Sequence, residues 1–489
     1  MPSYNMELHA ESGLTLVQGA DFGMPARVKQ KQVFNMANKR TYLDPIHQDI
    51  VLDRRIPAER LVMDLIDTRE FQRLRRVHQL GVSFFTFQGA EGSRFTHSVG
   101  VMHVASQLID MLAEKTPSIE QHRPLILASA LLHDCGHGPY SHVTEKILHY
   151  DHEEWSCRII SGDTEIRRVL DAFEEVPDLA EKVVRLLKKQ HHPKYLSHIV
   201  SSQLDCDRFD YLLRDSYMTG TAYGHLALQR ILRSMEVNEE KDRIEVVGEK
   251  GQTAVEDYLF GRYSMYAQVY YHRKNLAARA HLAKLLKRVK HLMEAKHKFS
   301  FMDDPTAKWL NGEELTVDEY LSLDDIQMTY HIKRWVEDKD PVLKDLARRF
   351  LDRRLFKSVK IMPPTGGGNG NGKFQNLIEQ VQNHTKELVK AYGMDPDYYV
   401  AVESTGFRPY DYYRPESVHP ETNIVIRTDT GIVSELSELS PTIGALVRGN
   451  YESFWLIYPP EIDEKVLDIQ ELAHTEEVKE KRKTKKKSN

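Results

Sequence analysis

Cysteine is scarce in this chain: three residues in 489, Cys135, Cys157 and Cys206. An odd number at no metal-ligand spacing argues against a disulfide scaffold or a thiolate zinc site and suits a reducing compartment. Long apolar runs are missing too. None approaches the roughly 18 residues of a transmembrane helix, and the N-terminus has no charged-then-apolar leader pattern, so a cytoplasmic protein with no membrane partner is expected. There is no basic excess either. Net charge is −5, which leaves little global field for nucleic acid, and nucleic acid is not expected as the main partner. What remains is ordinary for a soluble globular chain, 41% hydrophobic and 28% charged, and long enough to bury a large core.

One stretch organises the rest: His133-Asp134-Cys135-Gly136-His137-Gly138-Pro139-Tyr140-Ser141-His142. The apolar run Leu125 to Leu132 before it reads as a buried helix that delivers an imidazole–carboxylate pair at its end. Two glycines and a proline then stop the helix and let backbone approach a ligand. Upstream, Leu61, Leu65, Phe71, Leu74 and Val77 fall at helical spacing, and Asp67-Thr68 can cap a new helix at Arg69. Arg73, Arg75 and Arg76 crowd its other side, read as a solvated face or a polyanion surface. His97 opens an amphipathic helix. Downstream, His149, His152, Glu153 and Glu154 form a second imidazole–carboxylate patch, whereas His191-His192-Pro193 reads as a bystander loop. A helix ending near Gly220 places Gln203, Asp207, Tyr211 and Asp215 on one face. Buried carboxylates there need cations or metal. Tyr258 to Val289 and Thr316 to Lys360 read as long helical stretches, the former with the aromatic, basic section RYSMYAQVYYHRK.

These elements predict a mainly α fold: a helical core with a small mixed α/β C-terminal appendage. The divisions are an arm over 1–40, a core with helical extension over 41–362, a glycine-rich linker over 363–373, the α/β region over 374–474 and a basic tail over 475–489. The linker mimics a phosphate loop through Gly367, Gly372 and Lys373, but Phe374 stands where a hydroxyl residue would hold magnesium, and no apolar strand leads directly into it.

His97, His133, Asp134 and Asp207 make a two-histidine, two-carboxylate set suited to manganese, iron, zinc or nickel. Such a metal neutralises charge on a phosphoryl oxygen. His142 and His152 can bind the phosphoryl group or protonate a leaving oxygen, with Glu145 or Glu153 orienting the ring. Metal-dependent phosphohydrolysis follows from the residues; the substrate does not.

The motifs LDPIHQDIVL, DTREFQRLRRVHQLG, GSRFTHSVGV, LLHDCGHGPYSH, HEEWS and DRFDYLLRD together resemble the HD-domain deoxynucleoside triphosphate triphosphohydrolases. That family includes bacterial dGTPase-like enzymes and sterile-alpha-motif-and-HD dNTPases. The resemblance runs from about Leu43 to Lys274 and implies a helical HD domain that cleaves a dNTP to deoxynucleoside and inorganic triphosphate. It implies His97, His133, Asp134 and Asp207 as metal ligands, with magnesium as an additional candidate ion. It implies His142 as the group that protonates the 5′ oxygen, Glu145 as its support, His137 and His152 as α-phosphate contacts, and Glu153 beside them. Gln79 and Leu80 match sugar-discriminating positions, Arg94, Arg208 and Arg262 triphosphate positions, and Tyr211, Asp215 and Tyr270 the deoxyribose pocket. Asp67, Gln72 and Arg75 match positions that hold a nucleotide activator, although Leu43 replaces a polar contact there. Arg208 stands in place of a lysine, and Tyr271 in place of a glutamine that contacts the base. Relatives commonly form homo-oligomers, and one is expected here. Two other readings stay open: a different HD phosphohydrolase acting on monophosphates, modified or signalling nucleotides, and a non-catalytic nucleic-acid-binding HD protein.

Overall fold

The computed structural model describes residues 38–362, 371–407, 410, 423–449 and 452–466. The arm up to residue 37, the glycine-rich segment 363–370 and the tail 475–489 lie outside the described residues. The chain enters through an antiparallel hairpin, β1 (Lys39–Asp44) and β2 (Gln48–Asp53), whose turn carries His47. α1 (Pro57–Ile66) buries Leu61, Val62, Leu65 and Ile66. Thr68 accepts from the Phe71 amide and starts the helix Arg69–Arg73, as the Asp67-Thr68 pair predicts.

Six further helices frame the centre: α2 (Arg94–Ala113), α3 (Arg123–Leu132), α4 (His142–Leu148), α5 (His152–Ser161), α6 (Cys206–Thr219) and α7 (Gly248–Met265). α3 is the run read as a buried helix. Residues Pro124 to Leu132 are all buried because α1, α2 and the helix Leu179–Leu187 pack around it; a helix covered on every side needs no polar stripe. α2 lies against both α3 and α6. Gly100 permits the second contact: a Cβ there would sit 2.0 Å from Asp210 Oδ1.

Three long helical readings are broken by caps. Asp205 accepts from the Arg208 amide at 2.7 Å, so α6 starts at Cys206 and Gln203 lies in the turn before it, not on the helical face. The Tyr258–Val289 stretch is interrupted by a π-helical segment, Tyr266–Tyr270, after which the His272 ring caps α8 (Arg273–Glu294). The Thr316–Lys360 stretch becomes three helices started by Thr316, Asp324 and Asp340, and then a strand.

The fold is mainly α with small sheets, as expected. β3 (Met235–Asn238) and β4 (Arg243–Val247) form a hairpin. β5 (Lys357–Ile361), β6 (Ala401–Thr405), β7 (Val425–Arg427), β8 (Val433–Glu435) and β9 (Ser453–Tyr458) complete two sheets, ordered β3-β4-β7-β8 and β5-β9-β6. β7 runs parallel to β4, with Val246 opposite Ile426, so strands late in the chain are hydrogen-bonded to the helical core's own hairpin.

Candidate active site

His133 caps the C-terminus of α3, His97 lies in the first turn of α2, and Asp207 in the first turn of α6. The packing of these three helices brings the four expected ligands together. Asp207 Oδ1 lies 3.0 Å from His97 Nε2 and 3.6 Å from His133 Nε2. Asp134 lies 3.5 Å from the first ring and 3.4 Å from the second. The tautomers follow from the far sides of the rings. His133 Nδ1 donates to the Ala130 carbonyl at 2.8 Å, and His97 Nδ1 faces Asp210 Oδ2 at 2.8 Å. A carbonyl only accepts, so His133 carries its proton on Nδ1 and directs the Nε2 lone pair to the centre; a carboxylate behind His97 favours the same tautomer. Both Nε2 atoms are buried and face the Asp134 and Asp207 carboxylates, at 3.5 and 3.0 Å for His97 and 3.4 and 3.6 Å for His133. Burial disfavours an imidazolium at His97, yet hydrogen bonds to Asp207 and Asp210 outweigh it and push the pKa up to about 10. The surround favours positive charge between the rings, and a divalent cation with borderline nitrogen and oxygen ligands fits it.

A second cluster adjoins the first. His137 and His152 stack with ring centroids 3.8 Å apart, and His142 meets both edge-on. Glu145 holds His142 Nδ1 at 2.8 Å and His152 Nδ1 at 2.7 Å. The Glu145 carboxyl is lowered below its ordinary range; burial opposes that, but the hydrogen bonds from His142 and His152 prevail. His142 remains 61% exposed, open to a ligand. The turn that aims it is strained: Tyr140 and Ser141 have φ of 56° and 52°, a region costly for residues with a Cβ. Asp325 accepts from the Tyr140 amide at 2.6 Å, and Ser141 Oγ donates to the His78 carbonyl at 2.8 Å. Gly136 lets α5 approach, since a Cβ there would lie 2.2 Å from the Ser156 amide. Arg94 links the clusters, bonding Asp134 and donating to Ser141 Oγ.

Beyond the His97–His133–Asp134–Asp207 cluster α6 turns Asp215 toward Tyr270, whose hydroxyl donates to Oδ2 at 2.8 Å; Tyr211 stands 6.3 Å from the Tyr270 ring. Burial pushes the Asp215 carboxyl up to about 7, against the Tyr270 hydrogen bond, which lowers it. A folded pKa of about 7 against an ordinary 3.8 means the folded state holds the extra proton between those values. The stability this proton contributes is full below the unfolded value and is lost as pH rises through about 7. Asp215→Asn should flatten that part of the stability–pH curve, which thermal melts at successive pH values would register.

Other expected residues are placed as follows. Arg262 donates to Gln203 Oε1 at 3.1 Å, and Arg208 turns back to the Ser202 carbonyl at 2.6 Å. The Gln79 backbone N–H donates to the Gly92 carbonyl, and the side-chain Oε1 is buried without a hydrogen-bond partner; Leu80 follows it, half-buried. Glu153 is not grouped with the four clustered side chains His137, His142, Glu145 and His152, but with Glu154 and Lys188 it lines a cleft of about 170 Å³ that His152, His133, Asp134 and Asp207 also line. Asp67, Gln72 and Arg75 share a surface elsewhere, with Asp67 paired to Arg40 at 2.8 Å and Arg75 bonded to Gln72 at 2.8 Å. Arg73 belongs to no solvated face; it is buried and donates to the His137 carbonyl at 2.8 Å.

Sequence reasoning missed the hub behind His97. Asp210 takes His97 Nδ1, His47 Nε2 at 2.7 Å and Arg214 Nε at 2.8 Å, while Arg214 reaches Asp44 at 2.8 Å. The only local signal was the i, i+4 pair Asp210–Arg214. Partners that orient a metal-ligating histidine typically contribute 10–100-fold in metal affinity. Asp210→Asn should weaken metal binding by about that factor in a competition titration.

A family model described as HD domain matches residues 94–215, and one described as HD associated region matches 226–487, more than half of the chain. The chain belongs to the HD-domain phosphohydrolase family. His133-Asp134 lies within the residues that the HD-domain model matches. Over 428 residues it is 38% identical to the uncharacterized protein YwfO of Bacillus subtilis, covering 87% of this chain and 94% of that protein. A phosphohydrolase from Bacteroides thetaiotaomicron shares the fold with a TM-score of 0.72 at 26% identity, over 86% of this chain and 99% of that one. Similarity also extends, at 35% identity over 175 residues, to the deoxynucleoside triphosphate triphosphohydrolase SAMHD1 homolog of Dictyostelium discoideum, over 32% of this chain and 34% of that protein. Among the described residues, no helix is long and apolar enough to cross a membrane.

Proposed function

We propose that this HD-domain protein hydrolyses deoxynucleoside triphosphates to deoxynucleoside and inorganic triphosphate. The observation that carries the reading is the pair of buried Asp215 with Tyr270, beside Tyr211, with Asp215 and Tyr211 on the same helix as Asp207. Eight residues of helix separate the two aspartates, about 12 Å at 1.5 Å per residue, a span suited to one sugar between a reacting phosphoryl group and a hydroxyl-binding pair. A phosphatase removing a terminal phosphate has no use for such a pair. The Dictyostelium relative, a deoxynucleoside triphosphate triphosphohydrolase by name, supports the same substrate class.

Arg94, Arg262, His137 and His152 supply cationic and N–H groups for the phosphates. A divalent cation held by His97, His133, Asp134 and Asp207 supplies electrostatic stabilisation of the phosphoryl group. Water adds to the α-phosphorus, the bond from phosphorus to the 5′ oxygen breaks, and His142, oriented by Glu145, gives that oxygen its proton. Gln79 and Leu80 are assigned the sugar edge, with the Gln79 Oε1 as its polar contact. The test is an incubation with Mn²⁺ and each dNTP singly, then all four together, resolving triphosphate from pyrophosphate and phosphate. Triphosphate supports the reading, and its appearance only from mixtures adds activation by a nucleotide. Phosphate alone, or no product, refutes it.

A further inference from the structure

The wall beyond the sugar pair is built from two distant parts of the chain. Along the π-helical turn Tyr266 meets Tyr270 at 4.9 Å, one ring outward from Asp215. The next ring comes from the segment that follows β6. Phe407 lies parallel on Tyr266, with centroids 4.6 Å apart and planes 10° off. Tyr263 and Tyr271 flank Phe407 at 5.8 and 5.9 Å, and the Tyr271 hydroxyl donates to the Gly406 carbonyl at 3.3 Å. Core aromatic residues nearby, such as Tyr258, are fully buried, whereas Tyr263, Tyr266, Tyr270, Tyr271 and Phe407 all keep part of their surface exposed. π-turns are frequent at functional sites, and this one sets Tyr266 and Tyr270 edge to face toward one rim.

Given the proposed function, on which this rests, we infer that Phe407 is a nucleobase-binding residue: with Tyr266 it forms the outer stacking wall for the base of the bound dNTP. A base joined to a sugar at Asp215–Tyr270 lies about one ring beyond it, and the rings that continue from Tyr270 are Tyr266, in contact with it, and Phe407, stacked on Tyr266. Every base offers a π-face, so a wall of this kind binds all four and favours the larger purines. Arg262, whose guanidinium lies 5.7 Å from the Tyr266 ring centroid, adds a cation on the side of the phosphates. The region following the glycine-rich segment thereby contributes directly to substrate binding.

Removing a base-stacking ring typically weakens binding about 5- to 160-fold. Phe407→Ala should raise KM for each dNTP within that range, more for dATP and dGTP than for dCTP and dTTP, with kcat within about twofold; Phe407→Trp should restore KM. An abasic 2-deoxyribose 5-triphosphate serves as the control, and its KM should be the same for wild type and Phe407→Ala. Unchanged KM for all four dNTPs, or an equal rise for dNTPs and the abasic control, overturns the inference. If wild-type protein releases no triphosphate from any dNTP, the reaction proposed above has failed, and the wall is judged by calorimetric titration with deoxyadenosine. Weaker binding to Phe407→Ala than to wild type supports the wall; equal binding, or none to either protein, overturns it.

Discussion

Asp134→Ala should purify without bound metal and without activity. Asp134 is the most heavily engaged member of the cluster, facing His97, His133 and His137 within 3.5 Å and bonded to Arg94. Burial opposes its ionisation, yet His133, Arg94 and His137 hold its carboxyl well below the usual range, so it stands as a fixed anion at neutral pH. Without it two imidazoles and Asp207 remain, and Arg94 loses its buried counter-charge, an arrangement that repels a cation. A metal at a phosphoryl centre contributes several kcal/mol, equivalent to a loss of about 10³-fold or more in turnover. Elemental analysis should show metal falling from about one equivalent to a small fraction. Asp134→Asn keeps the shape and should behave the same way, which separates loss of the ligand from loss of the fold. Full activity in either variant would remove the metal centre from the account.

His142→Ala should separate metal from chemistry. The ring touches none of the four ligands; its Nδ1 is held by Glu145, and its outer side is open. Metal content should stay at the wild-type level while turnover drops by about 10²–10⁴-fold, the usual cost of a lost general acid. Glu145→Gln, which cannot fix both rings in the same tautomers, should lose a smaller factor in the same direction. Near-normal turnover in His142→Ala would take the proton donor away from this residue.

The parts legible in the sequence are those encoded within one or two helical turns. The apolar run into His133-Asp134, the Thr68 cap and the crowding of histidines between 137 and 152 were all local signals, and a matching His97 and Asp207 completed the set. What escaped reading depends on pairing across long separations. His47 and Asp210 are 163 residues apart, and Asp44 and Arg214 are 170 apart; nothing in either segment alone marks a relay behind His97. Arg73 looked solvent-facing beside Arg75 and Arg76, but its partners are the carbonyls of His137 and Leu323, the latter 250 residues away. The helical reading that begins at Thr316 held at its start and failed at Asp324 and Asp340, single capping residues that outweigh a continuing apolar period.

The proposed reaction has one bond at its centre, that between the α-phosphorus and the 5′ oxygen. Hydrolysis of a dNTP by the metal-loaded protein in H₂¹⁸O, followed by mass spectrometry of both products, reads that bond directly. The account predicts one ¹⁸O in the inorganic triphosphate and none in the deoxynucleoside. Label in the deoxynucleoside hydroxyl, or label in a nucleoside monophosphate released with pyrophosphate, would contradict it.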